Sequence, residues 1–144
     1  QAHGFTGDMR EFPRSEAERI YRALYWTRPG FDQVEPIYPN IAAELLDTGI
    51  NMGPKVAAGF LQRALNVLNR EARDYPDIIA DGDIGPMTLA ALRAFKAKRG
   101  DHGGTVLLKA LEAQQGERYL HLAEKRPANE AFAYGWLANR LGVL

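Results

Sequence analysis

Asn40, Glu44, Asp47 and Asn51 recur at i, i+4, i+7 and i+11 and form one polar stripe on an otherwise apolar segment. Ile41, Ala42, Leu45, Leu46 and Ile50 cover most of the remaining circumference, which is the pattern of a buried central helix. Unpaired carboxylates are costly to bury, so the stripe must meet water or a polar cleft. Two readings stay open at this point. Glu44, Asp47 and Asn51 line a cleft, or they form a solvated face or a set of internal caps. Upstream, Tyr25-Trp26 closes a helical segment just before Thr27-Arg28-Pro29-Gly30. An aromatic pair at a helix end suits stacking on flat or apolar ligand faces, sugars included. It equally suits the edge of a core.

These residues need helices to hold them, and the chain supplies the signals. Ser15-Glu16-Ala17-Glu18 has the capping-box spacing and predicts a helix of about 12 residues with Ala17, Ile20, Tyr21 and Leu24 inward. Asn40 is expected to cap the striped helix, which runs to Met52. Gly53-Pro54 stops it and starts the next, predicted to end near Ala72, with Val56, Phe60, Ala64 and Leu68 as its apolar face. A loop spans Arg73 to Ile84, and Pro86 opens a helix to Arg99 that buries Met87, Leu89 or Ala90, Leu92 and Phe95. Gly100 to Gly104 reads as a flexible joint, followed by a helix from Thr105 to Arg126 that Gly116 can kink. A last helix, Asn129 to Leu141, carries Phe132, Trp136 and Leu137. No segment alternates with period two for long, so the fold class is all-α.

Composition narrows the function. The chain has 144 residues, 46% of them hydrophobic, with 18 Lys+Arg against 18 Asp+Glu. Zero net charge excludes an electrostatic nucleic-acid binder, and no apolar run is long enough for a membrane span. The absence of cysteine excludes disulfides and thiol chemistry. His3, His102 and His121 lack zinc-ligand spacing, and Asp81-Gly82-Asp83 lacks the twelfth-position glutamate of a calcium loop, so no metal and no cofactor are expected. No signal peptide is visible, and a start at Gln1 without Met suggests a piece of a longer chain.

Two motifs then carry a resemblance. Leu61-Gln62-Arg63-Ala64-Leu65-Asn66, followed by Asp81-Gly82-Asp83-Ile84-Gly85-Pro86-Met87-Thr88-Leu89 and Ala91, Leu92 and Phe95, resembles the helix–loop–helix of peptidoglycan-binding modules. Asp81 and Thr88 either lock that loop or touch ligand. More widely, Gly4 to Glu11, Glu16 to Trp26, Leu46 to Pro54 and Gly135 to Arg140 resemble the muramidases of glycosyl hydrolase family 108 with their predicted peptidoglycan domain. The resemblance implies a lysozyme-like helical fold, residues 1–53 as the remainder of the catalytic region, and residues 54–144 as a peptidoglycan-binding helical region packed with it as one unit. It implies hydrolysis of the β-1,4 bond between N-acetylmuramic acid and N-acetylglucosamine, with peptidoglycan glycan strands as partner. The setting it implies is bacterial or phage, at the cell wall or in the periplasm. Non-catalytic peptidoglycan binding and a secretion-accessory role are the alternatives.

The family's general acid is a glutamate in an E-G-G motif, and no E-G-G occurs between Gln1 and Leu144. The acid is therefore expected upstream of Gln1. Glycoside hydrolysis needs a second carboxylate to stabilise positive charge or activate water. Asp47 lies in the matching Leu46 to Pro54 motif and is the candidate for that auxiliary role. Tyr25, Trp26, Glu44 and Asn51 are the candidate substrate contacts, Asn51 through an N-acetyl group or by holding Asp47. The Asn51 side chain can equally cap the turn into Pro54.

Overall fold

Three prolines start the three helices that build the core. Pro39, Pro54 and Pro86 each occupy the first helical turn, where a missing N–H costs nothing and a fixed φ suits the helix. The computed structural model describes residues 14–140. Within them the order is α1 (Arg14–Arg22), a π-helical turn (Ala23–Thr27), a 3₁₀ turn (Phe31–Gln33), α2 (Pro39–Met52), α3 (Pro54–Val67), α4 (Pro86–Lys125), a second 3₁₀ turn (Pro127–Asn129) and α5 (Glu130–Arg140). Among the described residues there is no strand, and the fold is all-α. The motif at Gly4 to Glu11, His3 and Leu141 lie outside the described residues.

One core joins these elements. Phe31, Val34, Ile41, Leu45, Leu61, Leu65, Leu92 and Leu107 are each fully enclosed, drawn from the 3₁₀ region and from α2, α3 and α4 together. α2 runs into α3 through Gly53 alone, whose φ of 101° is open to glycine. α2 buries Ile41, Ala42 and Leu45 as expected, leaves Leu46 half-buried and Ile50 exposed, and buries Thr48 as well. Asn40 is not the cap. Tyr38 stands before the helix, Pro39 takes its first position, and the Asn40 amide instead donates to the Gly104 carbonyl at 3.2 Å.

Other expectations shift for identifiable reasons. α1 starts at Arg14, one residue before the expected cap, and none of its residues is buried; Tyr21 and Leu24 are exposed. α3 stops at Val67 rather than near Ala72. Arg70, Glu71 and Ala72 follow in succession with φ of 56–63°, a left-handed run that no helix can contain. Asn69, almost wholly buried, holds that run: its Oδ1 accepts from the Ala72 N–H and its Nδ2 donates to Asp77. The buried stripe of α3 is Ala57, Ala58, Leu61, Gln62 and Leu65. Of the expected face only Ala64 is buried, while Val56, Phe60 and Leu68 flank it. Met87 is exposed at the start of α4, although Leu89, Leu92 and Phe95 are buried as predicted.

The glycine-rich joint bends at one residue. Gly100, with φ 66° and ψ −157°, is the only non-helical residue inside α4, and Gly116 continues the helix without a break. Gly103 and Gly104 are helical and buried. Their role is close approach: the Tyr38 ring lies against Gly104 while its hydroxyl donates to the Gly100 carbonyl at 2.6 Å. A Cβ on Gly104 would stand 2.9 Å from two ring carbons of a side chain that is pinned at both ends. We predict that Gly104→Ala lowers the unfolding free energy by about 1–2 kcal/mol, as overpacking does in a filled core. A urea titration that shows no change would reject this account of the glycines.

Candidate functional site: an aromatic groove beside α2

The π-helical turn decides where the aromatic pair points. The Arg28 N–H bonds to the Ala23 carbonyl at 2.9 Å, five residues back, so the chain takes one extra residue in that turn. Such insertions recur at functional sites because they re-aim side chains. Here Tyr25 and Trp26 both line a groove of about 430 Å³ shared with Tyr21 and with Ala43, Leu46 and Ile50 of α2. Trp26 also packs against the core, as the core-edge reading expects. Tyr25 stacks on Tyr21 with ring centroids 5.3 Å apart. Arg22 and Glu35 supply the charged groups on the lining.

The polar stripe of α2 divides around this groove. Ala43, Leu46 and Ile50 face it, and Asp47 sits four residues after Ala43 and three before Ile50, so it borders the lining on the helix surface. Asn51 is exposed, and its amide donates to the Asp47 carbonyl at 2.8 Å, one turn back along its own helix. Glu44 turns toward α4. Its carboxyl is pushed up to about 7, first by burial, then by the neighbouring Glu112 and Asp47, against a stabilising bond from Thr48. Thr48 in turn accepts a bond from the Gln115 amide at 3.1 Å, and Thr48, Glu112 and Gln115 are all buried. The lining of the aromatic groove includes none of Glu44, Asp47 and Asn51. The structure thus brings Tyr25 and Trp26 together, leaves Asp47 and Asn51 outside the lining, and directs Glu44 toward Glu112 of α4.

Two features were missed from sequence. Glu35 falls in a connector without periodicity, and nothing local marks it as facing Arg22 across a groove. The Glu44–Glu112 neighbourhood joins residues 68 positions apart, which helix patterning cannot pair. The i+4 spacing of Glu44 and Thr48 was the available hint.

The second motif resolves into a loop clamp. Gln62, fully buried on α3, donates through Nε2 to the Asp81 carboxylate (3.2 Å), the Asp83 carbonyl (2.9 Å) and the Thr88 hydroxyl (3.1 Å), and its Oε1 accepts from the Gly82 N–H (2.8 Å). Asp81 also accepts from the Asp83 N–H, and these bonds hold its carboxyl below the usual carboxylate range. Asn66 does the same for the strand-like stretch ahead of the loop, bonding both the N–H and the carbonyl of Ile78 at 2.8 Å. Thr88 is buried, so it locks the loop.

Comparisons with known proteins agree with this layout. The model described as Predicted Peptidoglycan domain matches residues 56–141, and that of Glycosyl hydrolase 108 matches residues 1–53. Comparison with curated proteins gives no match. Among the described residues no helix is long and apolar enough to cross a membrane. The two matches assign a peptidoglycan-related role, hydrolytic or binding, on a lysozyme-like helical fold. With the first model covering more than half of the sequence, the chain belongs to the Predicted Peptidoglycan domain family, and the residues ahead of that domain are similar to Glycosyl hydrolase 108.

Proposed function

We propose that this protein is an N-acetylmuramidase that cleaves the β-1,4 glycosidic bond of bacterial cell-wall glycan, and that the glycan lies in the groove of Tyr21, Tyr25 and Trp26. The observation that carries the reading is the aromatic groove itself, re-aimed by the π-helical turn, and helix spacing sets Asp47 on the same face of α2 as its lining residues Ala43 and Ile50. Sugar rings present flat C–H faces that stack on aromatic side chains, and their hydroxyls need the polar partners that Arg22 and Glu35 offer. Asp47 is the auxiliary carboxylate that stabilises developing positive charge, and Asn51 extends the glycan-facing edge of α2 one turn beyond it, while Glu44 lies behind that edge against α4. Such an enzyme works at the wall or in the periplasm of a bacterium, or for a phage that attacks one.

A second reading has its own support. The carboxyl raised to about 7, as a general acid requires, belongs to Glu44, which does not line the groove. A module that holds peptidoglycan without cutting it would need only the groove. Two measurements on the purified protein separate the readings. Retention on purified sacculi is expected in both, and Trp26→Ala is expected to weaken it about tenfold, the loss of one aromatic stacking contact. Clearing of wall suspensions is expected only of the hydrolase, and Asp47→Asn should slow it by at least tenfold. Undiminished retention by Trp26→Ala removes the glycan from this groove.

A further inference from the structure

A different groove, of about 500 Å³, lies along the kink of α4. Its floor is apolar, made by Leu68, Phe95 and Val106, and its charged lining is wholly basic: Lys98, Arg99 and His102. All three basic side chains are exposed, and none has an ion-pair partner among the described residues. One carboxylate that Lys98 and Arg99 influence is Asp74, and it is already taken. Arg70 grips it through two nitrogens at 2.7–3.2 Å, and that bond comes first among the causes that hold its carboxyl below the usual range, with Lys98 and Arg99 acting last. On a chain of zero net charge, a groove whose charged lining is Lys98 and Arg99, with no carboxylate in the lining, is a local concentration of positive potential.

The non-helical residue Gly100 separates Lys98 and Arg99 from His102, so polar side chains flank the groove from both sides of the bend and the two fixed cations stand on one of them. The occupant must carry anionic groups and small apolar side chains together. A polyphosphate chain matches the rim and leaves the floor of Phe95, Leu68 and Val106 unused. A short peptide with free carboxylates and methyl side chains matches both, because a guanidinium takes a carboxylate through two parallel bonds while methyl groups cover the floor.

We propose that this groove binds the peptide stems of peptidoglycan through their free carboxylates. The proposal rests on peptidoglycan as the polymer recognised, and it concerns the peptide, where the aromatic groove concerns the sugar. One polymer then engages two separate surfaces, and their effects on retention multiply because the second contact becomes intramolecular.

The test uses soluble probes on the whole protein, followed by amide chemical shifts. The probes are the pentapeptide L-Ala-γ-D-Glu-L-Lys-D-Ala-D-Ala, the same peptide with both carboxylates amidated, glycerol phosphate, and a chitin tetrasaccharide. The pentapeptide is expected to shift amides between residues 95 and 106. Lys98→Gln with Arg99→Gln should weaken that binding at least fivefold, and amidation should do the same. An unchanged thermal melt of the double variant shows that the fold persists. No shift in that region, or binding indifferent to the double variant or to amidation, overturns the proposal. A response to glycerol phosphate without one to the pentapeptide overturns it in favour of an anionic polymer. The tetrasaccharide reports on the aromatic groove alone, so failure of the sugar site and failure of the peptide site are read separately.

Discussion

Gln62→Leu is expected to lower the unfolding free energy by about 3 kcal/mol, which corresponds to a fall of roughly 10 °C in Tm for a chain of this size. The side chain is fully buried and makes four bonds, three to the loop residues Asp81, Gly82 and Asp83 and one to Thr88 in the first turn of α4. Leucine has nearly the same volume, so little of the loss comes from a cavity. The loss comes from stranded partners. The Gly82 N–H and the Thr88 hydroxyl would remain in place with nothing to bond, and each such group costs about 1–3 kcal/mol. Water cannot rescue them cheaply, because Gly82 is pressed against α3: a Cβ there would stand 3.0 Å from the Lys55 carbonyl. Gln62→Glu is the sharper probe. It keeps the shape and the acceptor for Gly82, but sets a second carboxylate where Asp81 now accepts a bond. Urea titration measures both variants, and amide exchange at residues 81–88 localises the effect. A loss under about 1 kcal/mol in both would mean that the loop is held by something other than this clamp.

The clamp also shows how far the sequence could be read. Asp81 and Gly82 were legible as turn-forming residues, whereas Gln62 and Thr88 joined them only through the family resemblance, and nothing in the spacing marked Gln62 as the hub of the loop. The starts of α3 and α4 were legible because Pro54 and Pro86 can open a helix and cannot continue one. Applied to Pro39, the same rule places the start of α2 correctly and leaves Asn40 free to bond Gly104. The early end of α3 was written in Asn66 and Asn69, whose amides compete for backbone groups, yet the apolar spacing of Ala64 and Leu68 hid it. Gly103 and Gly104 mislead for a different reason. A run of glycines signals freedom when read locally, and here two of them are small because Tyr38, more than sixty residues away, needs the space. The site divides along the same line. Tyr25, Trp26 and the α2 stripe are local patterns, and spacing along the chain is enough to single them out as candidates. Glu35 and the partners of Glu44 come from other elements, and no spacing along the chain announces them.

Glu44 carries the second large effect, and it separates a structural carboxyl from a functional one. Its folded-state value of about 7 lies above the ordinary 4.5, with burial as the main cause and Glu112 and Asp47 adding to it. Below pH 4.5 both folded and unfolded chains hold the proton, and Glu44 contributes no pH dependence. Between pH 4.5 and 7 the folded chain keeps a proton that the unfolded chain has released, so stability falls as pH rises. Above pH 7 the ionised carboxylate carries its full penalty. The shift alone would give about 3 kcal/mol. Glu44 is only partly buried, and solvent screening reduces this to about 1–2 kcal/mol. Glu44→Gln is therefore expected to match the parent at pH 4.5 and to melt at a higher temperature at pH 8, with the difference growing across that window. Glu112→Gln should move the midpoint of the parent's decline downward, because it removes one of the like charges. Identical pH profiles for the parent and Glu44→Gln would sink the assignment of a raised pKa. A carboxyl kept protonated at neutral pH at a stability cost is also the state that a proton donor to a leaving sugar needs. If Glu44→Gln gains stability at pH 8 and leaves sacculus retention and clearing unchanged, the cost belongs to the α2–α4 interface. If it gains stability and loses clearing, the protein keeps a destabilising carboxyl for the sake of its chemistry.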